Sequence, residues 1–513
     1  MAARSINPQA SNPKSTHEAD FADIQGLLRF GFGKHTDACF LLLRVKDRTS
    51  ARTWLASAPV TSAVKTEQIP ETILQVALTA PGLQALGVAD DILDGFSPEF
   101  LSGMGTDANR ARRLGDVGTN DPSQWQWGGP QCLPHVLVML YALPGRLDAW
   151  QQDVTAQMAA GFEVQHLLTT TDMQGVEPFG FADGIAQPRL DWQRARPVQD
   201  KDLLEFTNLS CLGEFVLGYP NEYGRYTDRP LLDPGRDRDQ LLPRAEDTPN
   251  RVDLGRNGTY LVFRQLRQDV HGFWQFLDQQ ASGGASQRQQ LAEAMVGRRM
   301  NGEPLVMPDN TTIAGIGPSP QDIARNGFTY EGDPEGLYCP FGAHIRRSNP
   351  RTADFPSGIT GFLSRLLRIF GFDRDALRRD IVAATRFHRI LRRGREYGTS
   401  IPAAAAIAAT AESVNTGLHF MCLNANIARQ FEFVQGAWLM GTKFNGMRDE
   451  TDPLLGNRCP VNGLAHVDTF SIPHPTSANQ RIDGLPQFVT VVGGAYFFLP
   501  GIRALQFLMA AAA

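Results

Sequence analysis

Short apolar runs alternate with segments of helical period along this chain, and the alternation is played out twice. In the first half, ACFLLLRV (38–45) and HVLVMLYAL (135–143) have the length and side-chain type of buried strands. ETILQVALTAPGLQALGV (71–88) reads as a strand and a short helix, while SARTWLASAPVTSAV (50–64) and DAWQQDVTAQMAAGF (148–162) space their apolar residues as helices do. In the second half TYLVFRQLRQ (259–268) and GLHFMCLNA (417–425) read as strands, and FVTVVGGAYFFLP (488–500) as a strand or hairpin. DVHGFWQFLDQQAS (269–282) and IARQFEFVQGAWL (427–439) are the matching helices. Such short alternating pieces argue for layers of sheet and helix rather than a bundle or a sandwich. Two halves of like order predict a pseudo-duplicated α+β fold. The polar stretches 224–257 and 281–290 are expected to be surface connectors.

A chain of 513 residues with 42% hydrophobic and 20% charged residues can bury a large core without covalent staples. The net charge of -5 argues against a nucleic-acid partner, which would call for a basic excess. Six scattered cysteines with no CxxC pair give structural zinc no support and fit a reducing compartment. The opening MAARSINPQASNPKSTHEAD has no apolar core of a secretory signal. The alanine-rich 403–411 and the stretch 488–502 fall short of eighteen unbroken apolar residues. A cytoplasmic protein without a membrane partner is expected.

Ten histidines are spread along the chain with no HExxH or Glu-x-x-His pair, and GxSxG, phosphate-loop and dinucleotide fingerprints are absent. Three segments carry denser chemistry. In VEPFGFADGIAQP (176–188), Asp183 sits between Gly180 and Gly184, whose freedom lets the backbone turn sharply and leaves room for a flat group. A plain Asp-Gly turn is the alternative. In CPFGAHIRRSNPR (339–351), His344 is followed by Arg346, Arg347 and Arg351; an imidazole is a common iron ligand, and guanidinium groups suit haem propionates or other anions. On those residues alone, a structural histidine in a solvated basic loop is the commoner reading. In RFHRILRRGREYG (386–398), Ile390 and Leu391 precede Arg392 and could carry it into an interior pocket.

Together these segments resemble the dye-decolourising peroxidase family. GFADG (180–184) is similar to its GxxDG motif, and HRILRRGREYG (388–398) to the stretch supplying its distal arginine. DIQGLLRFGF, GEFVLGYPNEYG, NGTYLVFRQLRQDVHGFW, MVGRRMNGEPL, NANIARQFEFVQGAW and GGAYFFLPGI resemble further family blocks in the same order, from about residue 22 to 503. The resemblance implies two ferredoxin-like halves enclosing one haem b per chain. They would be residues 21–205 and residues 206–513, the second carrying the iron ligand, after a disordered arm, 1–20. It implies His344 as axial ligand, Asp183 and Arg392 as catalytic residues with Arg393 as rival, and Gly180, Gly184 and Arg347 against the cofactor. Asn426 or Glu432 would accept the second N–H of His344. The long gap between His344 and Arg392 holds an insertion, TADFPSGITGFLSRLLRIFGFDRDALRRD, and Gly394 stands where compact subgroups have a polar residue.

The activity so implied is reduction of hydrogen peroxide with one-electron oxidation of dyes, phenols or other bulky aromatics. Asp183 would shuttle the peroxide proton and Arg392 would stabilise charge on the leaving oxygen. The alternative is a haem-binding or haem-iron-handling protein on the same fold. It would need His344 but not Asp183 and Arg392 together. A homo-oligomer is compatible with either.

Overall fold

A computed structural model of the chain describes residues 19–195, 207–308, 313, 316–317, 319–351, 385–408, 415–459 and 467–510. Most of the expected N-terminal arm and the insertion 352–380 lie outside the described residues.

The first half runs β1 (Asp37–Val45), α1 (Arg48–Ser57), β2 (Thr72–Leu78), β3 (Val136–Ala142), α2 (Leu147–Met158) and β4 (Phe162–Thr169). Its strands lie in the order β2-β3-β1-β4, all antiparallel. In the second half β5 (Thr259–Gln268) is followed by α3 (Val270–Gln280) and α4 (Ala285–Val296), then by α5 (His344–Ser348). The short β6 (Leu391–Arg392) and β7 (Arg395–Tyr397), then β8 (Gly417–Asn424), β9 (Val489–Leu499) and α6 (Ile502–Met509) complete it. Here β6 and β7 both pair along one edge of β8, whose other edge pairs with β5, which pairs with β9. In both halves the last strand neighbours the first, the first neighbours the third, and the second takes the far edge. That is the ferredoxin-like order, and it is the duplication expected from the sequence. The halves join edge to edge where Phe498 of β9 pairs with Leu78 of β2, giving one nine-stranded sheet.

Side-chain alternation sorts the strands into two cores. Leu41 and Leu43 of β1, Val262 and Leu266 of β5 and Cys422 of β8 fall in one. Phe40, Leu42, Phe263, Met421 and Leu391 fall in the other. Because both faces are covered, the strands read as continuous apolar runs rather than as alternating ones.

Four expectations need correction in detail. The helix expected over 50–64 is Arg48–Ser57, capped by Asp47, whose side chain accepts from Ser50 N; Ala58, held extended before Pro59, ends it. The stretch 281–290 is only partly connector, because α4 begins at Ala285. The connector 224–257 is not purely superficial, since Arg229 is buried between Asp247 and the fully buried Asp253. The helix expected over 427–439 is wound wide, as two π-helical segments, Ala428–Glu432 and Val434–Leu439. Glu432 N and Met440 N reach carbonyls five residues back, at Ile427 and Gln435.

Candidate active site

A cavity of about 290 Å³ opens on the sheet face that carries Arg264, Leu266 and Gln268 of β5, Leu418 and Phe420 of β8, and Val489 and Val491 of β9. The wide helix covers it with Phe431, Val434, Gln435 and Leu439. Asp183, His344 and Arg392 all line it, brought together from a loop, a helix start and an edge strand. Each is walled in yet keeps part of its side chain open to the cavity: 34% for Asp183, 26% for His344 and 31% for Arg392.

His344 is the first residue of α5, and its Nδ1 lies 2.9 Å from Oδ2 of Asp452, which is fully buried. The other oxygen of Asp452 accepts from Leu454 N at 2.9 Å and Leu455 N at 2.8 Å, so the carboxylate is fixed from behind. A carboxylate accepting from Nδ1–H leaves Nε2 with its lone pair free for a ligand bond. Burial disfavours the imidazolium, but Asp452 outweighs burial and holds the His344 pKa above the ordinary value. Burial would likewise raise Asp452, and the His344 ring brings it below the usual carboxylate range.

Asp452 replaces the partner expected from sequence. Asn426 instead accepts from Arg429 N at the start of the wide helix, and Glu432 takes Arg110 Nε at 2.7 Å and the Tyr496 hydroxyl at 2.9 Å. Asp452 lies 108 residues beyond His344 in a polar segment with no local signal of its role.

Asp183 ends a small hairpin in which Val176 bridges Ala182 and Asp183 N donates to Gly175 O at 3.0 Å. Its Oδ1 accepts from Arg392 Nη1 at 2.8 Å. Burial pushes the Asp183 pKa up, but the Arg392 charge and hydrogen bonds from Gly184 N and Arg392 bring it below the usual value. Strand alternation separates the two rival arginines. Leu391 enters the core on the far face, so Arg392 points into the cavity while Arg393 turns away to the carbonyls of Leu27 and Leu28. Gly394 is required by the sheet, because a Cβ there would meet His419 O of β8 at 2.5 Å.

The remaining cofactor assignments change. Gly180 (φ 98°) and Gly184 (φ 72°) supply the turn but do not line the cavity. Arg347 is fully buried away from it, donating to the carbonyls of Trp438, Gly441 and Glu450. Among the arginines that line the cavity is Arg298, from the MVGRRMNGEPL block. It donates to Gly302 O and Arg325 O and forms no ion pair with an acid among the described residues. His388 is a second cavity imidazole, its Nδ1 against Arg429 O and its ring stacked 3.7 Å from Phe433.

No protein-family model matches the chain. Peroxidase 2 of Mycetinis scorodonius is 26% identical over 97% of this chain and 89% of that protein. Multifunctional dye peroxidase DyP2 of an Amycolatopsis species is 27% identical over 96% of this chain and 94% of that protein. The fungal DyP-type peroxidase structure from Auricularia auricula-judae superposes with a TM-score of 0.70 at 25% identity, covering 96% of this chain and all of that one. The DyP-type peroxidase of an Anabaena species, at 23% identity and a TM-score of 0.67, shares the fold. The duplicated α+β sheet and the relatives it shares this fold with thus place the chain among peroxidases. Within that class, the chain is similar in sequence and fold to the dye-decolourising peroxidases over nearly its whole length.

Proposed function

We propose that this protein is a haem peroxidase that reduces hydrogen peroxide and draws electrons singly from dyes, phenols or other bulky aromatics. One observation carries the reading: a carboxylate-oriented imidazole and an Asp–Arg pair share one largely apolar cavity. These residues fit haem b, one per chain. Nε2 of His344 would hold the iron, Arg298 would meet a propionate, and Phe420, Phe431 and Leu439 would pack against the ring. Bound haem would supply the two-electron reduction of peroxide and the return of single electrons from donors.

The chain's own groups manage the proton and the charge. Asp183, kept ionised by Arg392, accepts the proton of the nearer peroxide oxygen and returns it to the farther one as the O–O bond opens. Arg392 presents a permanent charge to the departing oxygen, where negative charge grows. The hydrogen bond from Nδ1–H to Asp452 makes His344 a more basic ligand.

No helix among the described residues is long and apolar enough to cross a membrane. Six cysteines without a disulfide support a cytoplasmic setting. The deciding experiment combines an absorption spectrum of the purified protein with stopped-flow mixing against peroxide. An intense haem band that responds rapidly to peroxide is expected, and its rapid response should be lost in Asp183→Asn. A haem band indifferent to both would favour a haem-handling role.

A further inference from the structure

The hairpin that presents Asp183 is held at its tip by an acid to which the reaction assigns no part. Glu177 lines the same cavity, and its carboxylate gathers three N–H donors. Oε1 accepts from Phe181 N at 3.0 Å, while Oε2 accepts from Phe179 N at 3.0 Å and from Gln268 Nε2 at 2.7 Å. The main chain of the same residue closes the turn twice, with Glu177 N donating to Phe181 O and Gly180 N donating to Glu177 O. Phe179, inside the loop, packs on Phe273 of α3 with ring centroids 4.5 Å apart. The tip is thereby tied to β5 through one side chain, Gln268, while the base of the hairpin carries Asp183.

We infer that Glu177 is a positioning residue: it clamps the 175–183 hairpin to the central sheet so that the Asp183 carboxylate stays within reach of Arg392 and of the peroxide. The inference rests on the peroxidase reading above. An acid is specifically suited to the task, because two carboxylate oxygens can accept all three N–H groups. A glutamine offers one oxygen and turns an amide N–H₂ toward a donor. Loss of solvent pushes the Glu177 pKa up to about 7 although the three donors favour the carboxylate, so they offset burial only in part.

The test is a double-mutant cycle on the haem-loaded enzyme, read by stopped-flow reaction with peroxide. Glu177→Gln should leave the haem spectrum native and slow the reaction by about 10- to 100-fold, the scale of an ångström-sized misplacement. In an Asp183→Asn background the same substitution should cost nothing further, since nothing remains to be positioned. A wild-type rate in Glu177→Gln overturns the inference, as does an equal loss in both backgrounds, which marks general structural damage. If Asp183→Asn itself reacts at the wild-type rate, the peroxidase mechanism falls and this inference falls with it. Should Glu177→Gln fail to hold haem, Gln268→Met loosens the same clamp at its sheet end. It should then show the same non-additivity with Asp183→Asn, and simple additivity there overturns the inference.

Discussion

Asp183 and Arg392, 209 residues apart in sequence, meet at 2.8 Å in a cavity they share with His344. The guanidinium brings the Asp183 pKa below the ordinary value despite burial. A depressed carboxyl is ionised at neutral pH and gains its proton only as pH falls through its lowered pKa. Asp183 itself should therefore stay ionised to below pH ~3.9, the free aspartate value, and the final acid limb of turnover should report it, after any partial loss as Glu177 gains its proton near pH 7. Asp183→Asn should slow the peroxide step by roughly 10²–10⁴-fold, the range of general acid–base catalysis, with the haem spectrum nearly native. Rapid kinetics across pH measures both.

Arg392→Leu removes the charge that opposes burial. The Asp183 pKa should then rise, moving the acid limb of the rate profile to higher pH, while the peroxide step slows at every pH. Arg393→Leu, whose guanidinium serves the carbonyls of Leu27 and Leu28, should lower thermal stability and leave the acid limb in place.

Haem retention should follow the His344–Asp452 pair. His344→Ala is expected to purify with little haem, and Asp452→Asn to lose 10- to 100-fold in iron affinity or activity, as supporting hydrogen bonds usually do. Asn426→Ala should keep haem, because its side chain serves Arg429 N. His388→Ala should also keep it, the ring being stacked on Phe433. Haem content per chain after gel filtration distinguishes these outcomes.

Gly184 has φ 72°, and a methyl group on its Cα would find no atom within 4 Å, so Gly184→Ala meets only backbone strain. A cost of about 1–2 kcal/mol is expected from a left-handed alanine. It should appear as a lower unfolding midpoint in denaturant, with a slowed peroxide step because the strain sits beside Asp183.

None of the six cysteines is joined in a disulfide, and four of them are buried. Denatured, unreduced protein should therefore titrate close to six thiols with a chromogenic disulfide reagent. A count of two would mean paired cysteines and an oxidising compartment.

The duplication, the strand positions, Asp183 and His344 were legible because each leaves a local trace: apolar runs of strand length, or a motif that a family shares. Arg392 over Arg393 was legible in principle, since strand alternation from the apolar Leu391 assigns one face to each. Asp452 was not. Its role is a contact across 108 residues, made by a loop whose composition resembles many others. Arg347 misled for the converse reason, because a basic run looks alike whether a guanidinium meets a propionate or three backbone carbonyls. Glu177 stood within the motif segment, and only its three donors reveal a purpose.

The strand that joins the two halves comes last in chain order among the described strands, and this sets an order on their assembly. Residues 489–499 slot between β5 and β2, and Val489 and Val491 supply part of the cavity wall. A nascent chain on the ribosome can complete its first ferredoxin-like unit early, since β1 to β4 are contiguous in synthesis. The second unit waits for its fourth strand, so the cavity wall closes only after the other strands of both units have emerged. Whatever occupies the cavity therefore meets walls that close late, when the first ferredoxin-like unit is already in place.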